Sequence, residues 1–176
     1  MEQGQVARFA LFSDVPGDKL SEIERLCDVV EFKPRDVIFN QGEQAEALYG
    51  VLSGAVELSL LFTDKFTKTD IQYEDSVEVK LEVTKKPIVF ETVVPGEILG
   101  WSVLVSPNQL TATAQCAELT QVFALPAVKF NAMLDTDPAL GYTIMAKMAQ
   151  IISRRLHSLT ARLIEAWGEA FGVDTM

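Results

Sequence analysis

The stretch Pro95–Ala114, PGEILGWSVLVSPNQLTATA, decides how this chain is read. It opens on a Gly-Glu pair, Gly96-Glu97. One short apolar helical turn follows, carried by Leu99 to Val103, and then a polar loop that falls into a strand.

Upstream of it the hydrophobic period is two. VVEF, DVIFNQG, ALYGVLSG and AVELSLLF succeed one another from Val29 with glycines or prolines between them, the pattern of short antiparallel strands rolled into a sandwich or barrel. Gly42, in Gln41-Gly42-Glu43, and Gly54, closing the Ser-Gly turn, fall where tight turns want a positive φ, which glycine adopts without steric cost. Before these strands, DKLSEIERLCD reads as a helix with Leu20, Ile23, Leu26 and Cys27 on one face. The Pro16-Gly17 turn separates it from ARFALF, whose Phe9, Leu11 and Phe12 should cover an edge of the core. The segment 62–88 reads as a long hairpin with its tip within 64–75. TDKFTKTDIQYED is polar and unstructured in character, whereas SVEVKLEVTKK alternates, Val77, Val79, Leu81 and Val83 against Glu78, Lys80 and Glu82. Such an insertion is a solvated loop or a surface for a partner.

Downstream, ATAQC and TQVFALP read as two further strands, and AVKFNAMLDTD as a helix starting after Pro126. From Ala139 to about Phe171 only Gly141 and Gly168 interrupt a helical pattern, as one helix or as two connected ones. Met145, Ala149, Ile152, Leu156, Leu159, Leu163, Ala166 and Ala170 follow a 4-3-4-3-4-3-4 spacing, a heptad seam. Ile144, Met148 and Ile151 form a second stripe that would face the barrel. The first stripe asks for another surface: a second copy of the chain, with Ile152, Leu156, Leu159 and Leu163 at the interface, or an N-terminal cap of the same chain.

The PGE segment resembles the phosphate-binding cassette of the cyclic nucleotide-binding domain family, and QGE with LYGVLSG, about fifty residues earlier, resembles that family's barrel-turn signature. The resemblance covers roughly Leu11 to Leu163. It implies a mainly β fold, a double-stranded β-helix (β-roll or jelly roll, about 28–125) with N-terminal helices and a long C-terminal dimerisation helix (about 139–171), in a single domain over 1–176. It implies a regulatory, ligand-sensing module with cyclic AMP or cyclic GMP as candidate ligand, signalling through its C-terminal helix to a protein partner. The candidate ligand residues are Gly96, Glu97, Ile98, Leu99, Ser102, Gln109, Leu110 and Thr111. In the family the Glu accepts from a ribose hydroxyl, the amides of the following turn cradle the phosphate, and an Arg before the closing strand pairs with it. Here Gln109 or Leu110 holds the Arg position, and loss of a charge-assisted partner costs about 1.5–3 kcal/mol. Trp101 stands where a small or medium aliphatic residue is usual, and stacks on a base or fills the pocket. The rival reading is a degenerate domain that binds no nucleotide and acts as an interaction or scaffold subunit.

Composition bounds these readings. With 176 residues, 48% apolar and 23% charged, the chain is of ordinary globular composition. It has neither an apolar run long enough to span a membrane nor a signal-peptide start, so a cytoplasmic location and no membrane partner are expected. Cys27 and Cys116 form no CxxC motif and read as buried reduced thiols. One histidine, His157, cannot build a His-rich metal site, and no catalytic constellation is visible, so no enzyme, metal or certain cofactor is expected. The net charge is −10, and it lies almost wholly before Pro138, because Lys147, Arg154, Arg155 and Arg162 offset the acids that follow. A body this acidic is repelled by phosphate backbones. EAFGVDTM after the long helix is too short for a DNA-reading module, so no DNA binding by this chain is expected.

Overall fold

A computed structural model describes residues 4–73 and 76–171. Eight strands form two four-stranded antiparallel sheets. The strands are β1 (Asp28–Phe32), β2 (Val37–Phe39), β3 (Ala47–Ser53), β4 (Val56–Tyr73), β5 (Ser76–Val93), β6 (Ile98–Leu99), β7 (Thr113–Cys116) and β8 (Thr120–Pro126). One sheet runs β1-β8-β3-β6 and the other β2-β7-β4-β5, so strands distant in sequence lie side by side, as in the expected β-roll. Gly42 and Gly54 take φ of 88° and 83°, as their turns demand.

The N-terminal segment supplies more of the core than an edge. Two 3₁₀ turns, Val6–Arg8 and Ala10–Phe12, with the extended Phe9 between them, bury Val6, Phe9, Leu11 and Phe12 completely or nearly so. Phe9 meets Phe123 of β8 edge to face, with ring centroids 4.9 Å apart, the arrangement aromatic quadrupoles favour. The pair fits only because Gly50 of β3, opposite Phe123, has no side chain: a Cβ there would collide with the Phe123 ring and lie 2.7 Å from that of Phe9. Helix α1 (Gly17–Leu26) turns Ile23 into this core, with Leu20, Leu26 and Cys27 packed against its margin.

Over its described residues the insertion is β-structured. The sequence TDKFTKTDIQYED reads as polar and unstructured, but β4 continues through Thr63 to Tyr73, paired with β5 from Val56↔Val93 to Tyr73↔Ser76. The ladder itself satisfies the backbone, so a polar segment needs no core to be extended. The tip, at residues 74–75, and the side-chain alternation expected for Val77 to Val83 lie outside the described residues. At the hairpin's base, Leu60, Leu61, Phe62, Ile88 and Val89 are exposed.

Helix α2 (Ala127–Thr136) starts after Pro126, and α3 (Pro138–Phe171) is one continuous helix. The Asp137 carboxylate accepts from the Leu140 N–H at 3.1 Å, and Pro138 takes the first helical position, where its missing N–H costs nothing. The Leu140 bond, with Lys19 nearby, holds the Asp137 carboxyl below its usual range. Ile144 and Met148 are fully buried in the core and Ile151 packs against it; α3 meets the second 3₁₀ turn and α2 there. Along the heptad seam Leu156 and Leu163 are 64% and 50% exposed, while Ile152 and Leu159 are half-buried. Leu156 and Leu163 are therefore left uncovered by the described N-terminal residues.

Both cysteines are free thiols, and burial pushes Cys27 up to about 12.

Candidate functional site

The Gly-Glu pair forms a turn docked on β3. The Gly96 N–H donates to the Val51 carbonyl and the Val51 N–H to the Glu97 carbonyl, both at 3.0 Å. Gly96 sits at φ 92° with open space where a Cβ would stand, so glycine is needed here for its dihedral and not for room. The Glu97 carboxylate caps its own turn, Oε2 accepting from the Val94 N–H at 3.0 Å, and is otherwise exposed.

Beyond it, Ile98 and Leu99 pair with Gly50 and Tyr49 as β6, so Leu99 belongs to a strand and not to the helical turn. The turn is Trp101–Leu104, entered through Gly100 at φ 75°. Asn108, itself left-handed at φ 59°, secures it: its Nδ2 donates to the carbonyls of Ser102 and Val103 at 3.0 and 2.9 Å. Asn131 of α2 adds a bond to Val103 at 3.0 Å.

The two sequence signatures prove to be one structural unit. The QGE turn and the end of the cassette are laced together by Gly42 N–H to the Leu110 carbonyl and Leu110 N–H to the Glu43 carbonyl, both at 2.8 Å, and by Ala45 N–H to the Asn108 carbonyl at 2.7 Å. Gln109 takes part in this lacing. Its Nε2 donates to the Gly42 carbonyl at 3.1 Å, which points the side chain onto the QGE turn.

Seven of the eight candidate residues divide between two cavities. Leu99, Ser102, Leu110 and Thr111, with Gly100, Trp101 and Arg155, line a space of about 30 Å³ inside the cassette. Small-molecule sites usually measure about 300–1,000 Å³, so this space is too small for such a ligand. Trp101, half-buried against the core, lines this space. Gly96, Glu97 and Ile98 instead form the rim of a space of about 350 Å³ whose far wall is α3. Gln109 lines neither.

That far wall carries residues the sequence did not single out. Arg154, Arg155, Ser158 and Arg162 face the larger cavity from α3. Arg155 is held tightly: Nε lies 2.9 Å from Glu91 Oε1 with both side chains largely shielded, and Nη2 donates to the Ile98 carbonyl at 2.8 Å. Arg162 Nη1 donates to the Phe90 carbonyl at 2.8 Å. The signal was available, since residues 155, 158/159 and 162 recur at helical spacing on one face. Among the described residues, no cluster of three or more His, Cys, Asp or Glu is placed to hold a metal ion, and no helix is long and apolar enough to cross a membrane.

Comparison with solved structures places this architecture. A provisionally assigned cyclic nucleotide-binding protein from Geobacter metallireducens GS-15 superposes with a TM-score of 0.68 at 23% identity, over 89% of this chain and 99% of that one. A cyclic nucleotide-binding domain from Methylobacillus flagellatus KT gives 0.66 at 15% identity, over 93% and 81%. The catabolite activator protein of Thermus thermophilus gives 0.60 at 21% identity, over 91% of this chain and 64% of that one. The fold is therefore the cyclic nucleotide-binding β-roll, with helices at both ends and a long closing helix. No family model matches the sequence, and none of the curated proteins matches it.

Proposed function

We propose that this chain is a regulatory ligand-sensing module whose output is α3, acting as a homodimer on a protein partner in the cytoplasm. The observation that carries the reading is Arg155: one side chain ties α3 to the Ile98 carbonyl in the cassette and to Glu91 in β5. A ligand that disturbs the cassette rim then shifts the packing of α3, a change of population between two arrangements. A thermal-shift screen of the full chain with cyclic AMP, cyclic GMP and cyclic dinucleotides tests it. A rise in midpoint with one of them is expected, since a ligand that binds only the folded state stabilises it. Silence across the set at millimolar ligand would discard sensing of these nucleotides.

The dimer rests on the exposed heptad seam. Leu156→Asp with Leu163→Asp tests it more cleanly than Leu159→Asp, because Leu159 also lines the larger cavity. Light scattering should give about twice the 19.4 kDa chain mass for the parent and the single mass for the double variant. A double variant of unchanged dimeric mass would remove the seam from the interface.

A second reading is favoured by the small cassette space. With about 30 Å³ inside and Gln109 engaged with Gly42, the domain also suits an interaction or scaffold subunit that binds no nucleotide. In that case the dimer persists while the ligand screen stays silent.

A further inference from the structure

The larger cavity carries an unbalanced charge. Of its three guanidinium groups, only that of Arg155 faces a carboxylate partner among the described residues, Glu91 at 2.9 Å. Arg162 donates to a neutral carbonyl, and Arg154 has no hydrogen bond or ion pair among the described residues. Opposite them stands Glu97, one oxygen of which is already engaged by the Val94 N–H. The surplus is positive in a chain of net charge −10, so it is a local arrangement and not a consequence of overall composition. Arg154 and Ser158 lie one helical turn apart and Arg155 and Arg162 two, which aims these polar groups into one space. The remaining walls, Leu11, Ile98, Ile151 and Leu159, are apolar.

We infer that this cavity is a binding site for a small organic phosphate, held by Arg154 and Arg162 from α3 rather than by the cassette. Guanidinium groups fork onto phosphate oxygens, the apolar walls receive the organic portion, and about 350 Å³ suits a ligand of that size. The inference rests on reading the chain as a ligand sensor and names the site and ligand class of that reading. It also reverses the sign expected for Glu97. In a cassette-held ligand this carboxylate is an acceptor that binding needs; here it is the opposing charge.

The test is calorimetric titration of the full chain at low salt with adenosine 5′-monophosphate, cyclic AMP, glucose 6-phosphate and, as the phosphate-free control, adenosine. At least one phosphate ester should bind saturably and adenosine should not. Arg154→Gln with Arg162→Gln should weaken that binding by about tenfold or more, and added salt should weaken it in the parent chain. Glu97→Gln should leave it unchanged or tighten it. Both arginines are exposed, so an unchanged melting midpoint checks that the double variant is folded. Binding insensitive to the arginine pair, binding lost in Glu97→Gln, or no saturation by any ester at millimolar ligand overturns the site. Emission of Trp101, beside Arg155, read in a Trp167→Phe background, separates the two readings. Arginine-dependent binding with unchanged emission keeps the site and removes the sensor. Arginine-independent binding with altered emission does the reverse.

Discussion

Gly50→Ala is expected to cost about 3 kcal/mol of folding stability or more, at the upper end of what one added methyl does in a packed core. The added carbon has nowhere to go. It meets the Phe123 ring from one side and the Phe9 ring, 2.7 Å away, from the other, and Phe123 is wholly buried. The usual benefit of replacing glycine, a less disordered unfolded chain, is only about 0.4–1 kcal/mol and does not offset this. At this chain length the loss corresponds to a fall in melting temperature of roughly 6–12 °C. Pairing it with Phe123→Leu should make the double variant less damaged than the sum of the two, because the smaller side chain vacates the space. A Gly50→Ala protein melting within a degree or two of the parent would mean that the aromatic pair does not lie over β3 as described.

Arg155→Met should be the most costly of the α3 arginine substitutions, about 3 kcal/mol, because it strands a partner. Glu91, only 19% exposed in its side chain, would lose its counter-charge, and the Ile98 carbonyl would lose a donor. Arg154→Met, at an exposed site with no partner among the described residues, should be close to neutral. Adding Glu91→Gln to Arg155→Met should recover part of the loss, since the stranded charge is then gone. Denaturant melts of the parent, Arg155→Met, Glu91→Gln and the double variant measure the cycle, with Arg154→Met as the control. Equal stabilities for the Arg154 and Arg155 variants would remove the clamp between α3 and the cassette.

The roll was legible because its punctuation is chemical. Glycines at turns that need positive φ, strands of period two, and helices of helical period are local signals, and the elements so marked appeared near where their residues put them, β6 at Ile98–Leu99 not being among them. The stripe of Ile144 and Met148 is buried for the same reason. Three features were not legible, and each depends on what lies across space. The polar half of the insertion satisfies its backbone from β5, so the composition that read as unstructured was no bar to a strand. Gln109 is committed by the nearness of the QGE turn, a contact that sequence order hides. The paired signatures were visible, but not that hydrogen bonds from Gly42, Ala45 and Leu110 join them. The site divided likewise: Gly96 and Glu97 could be named from the motif, whereas Arg154, Arg155 and Arg162 acquire meaning only when α3 is laid against the cassette.

The β4–β5 ribbon bears on how the size of this protein is measured. β4 pairs with β7 only from Val56 to Ser59, and from Leu60 to Tyr73 its ladder is with β5 alone. At roughly 3.3 Å per residue that stretch extends about 45 Å, against a radius of gyration of roughly 16 Å for a compact chain of this length. Such an arm raises friction without adding mass. A single chain should elute early from a gel-filtration column and sediment slowly, mimicking a larger globular species. Calibrated elution would overstate its association state, and scattered light, which weighs particles regardless of their outline, would not.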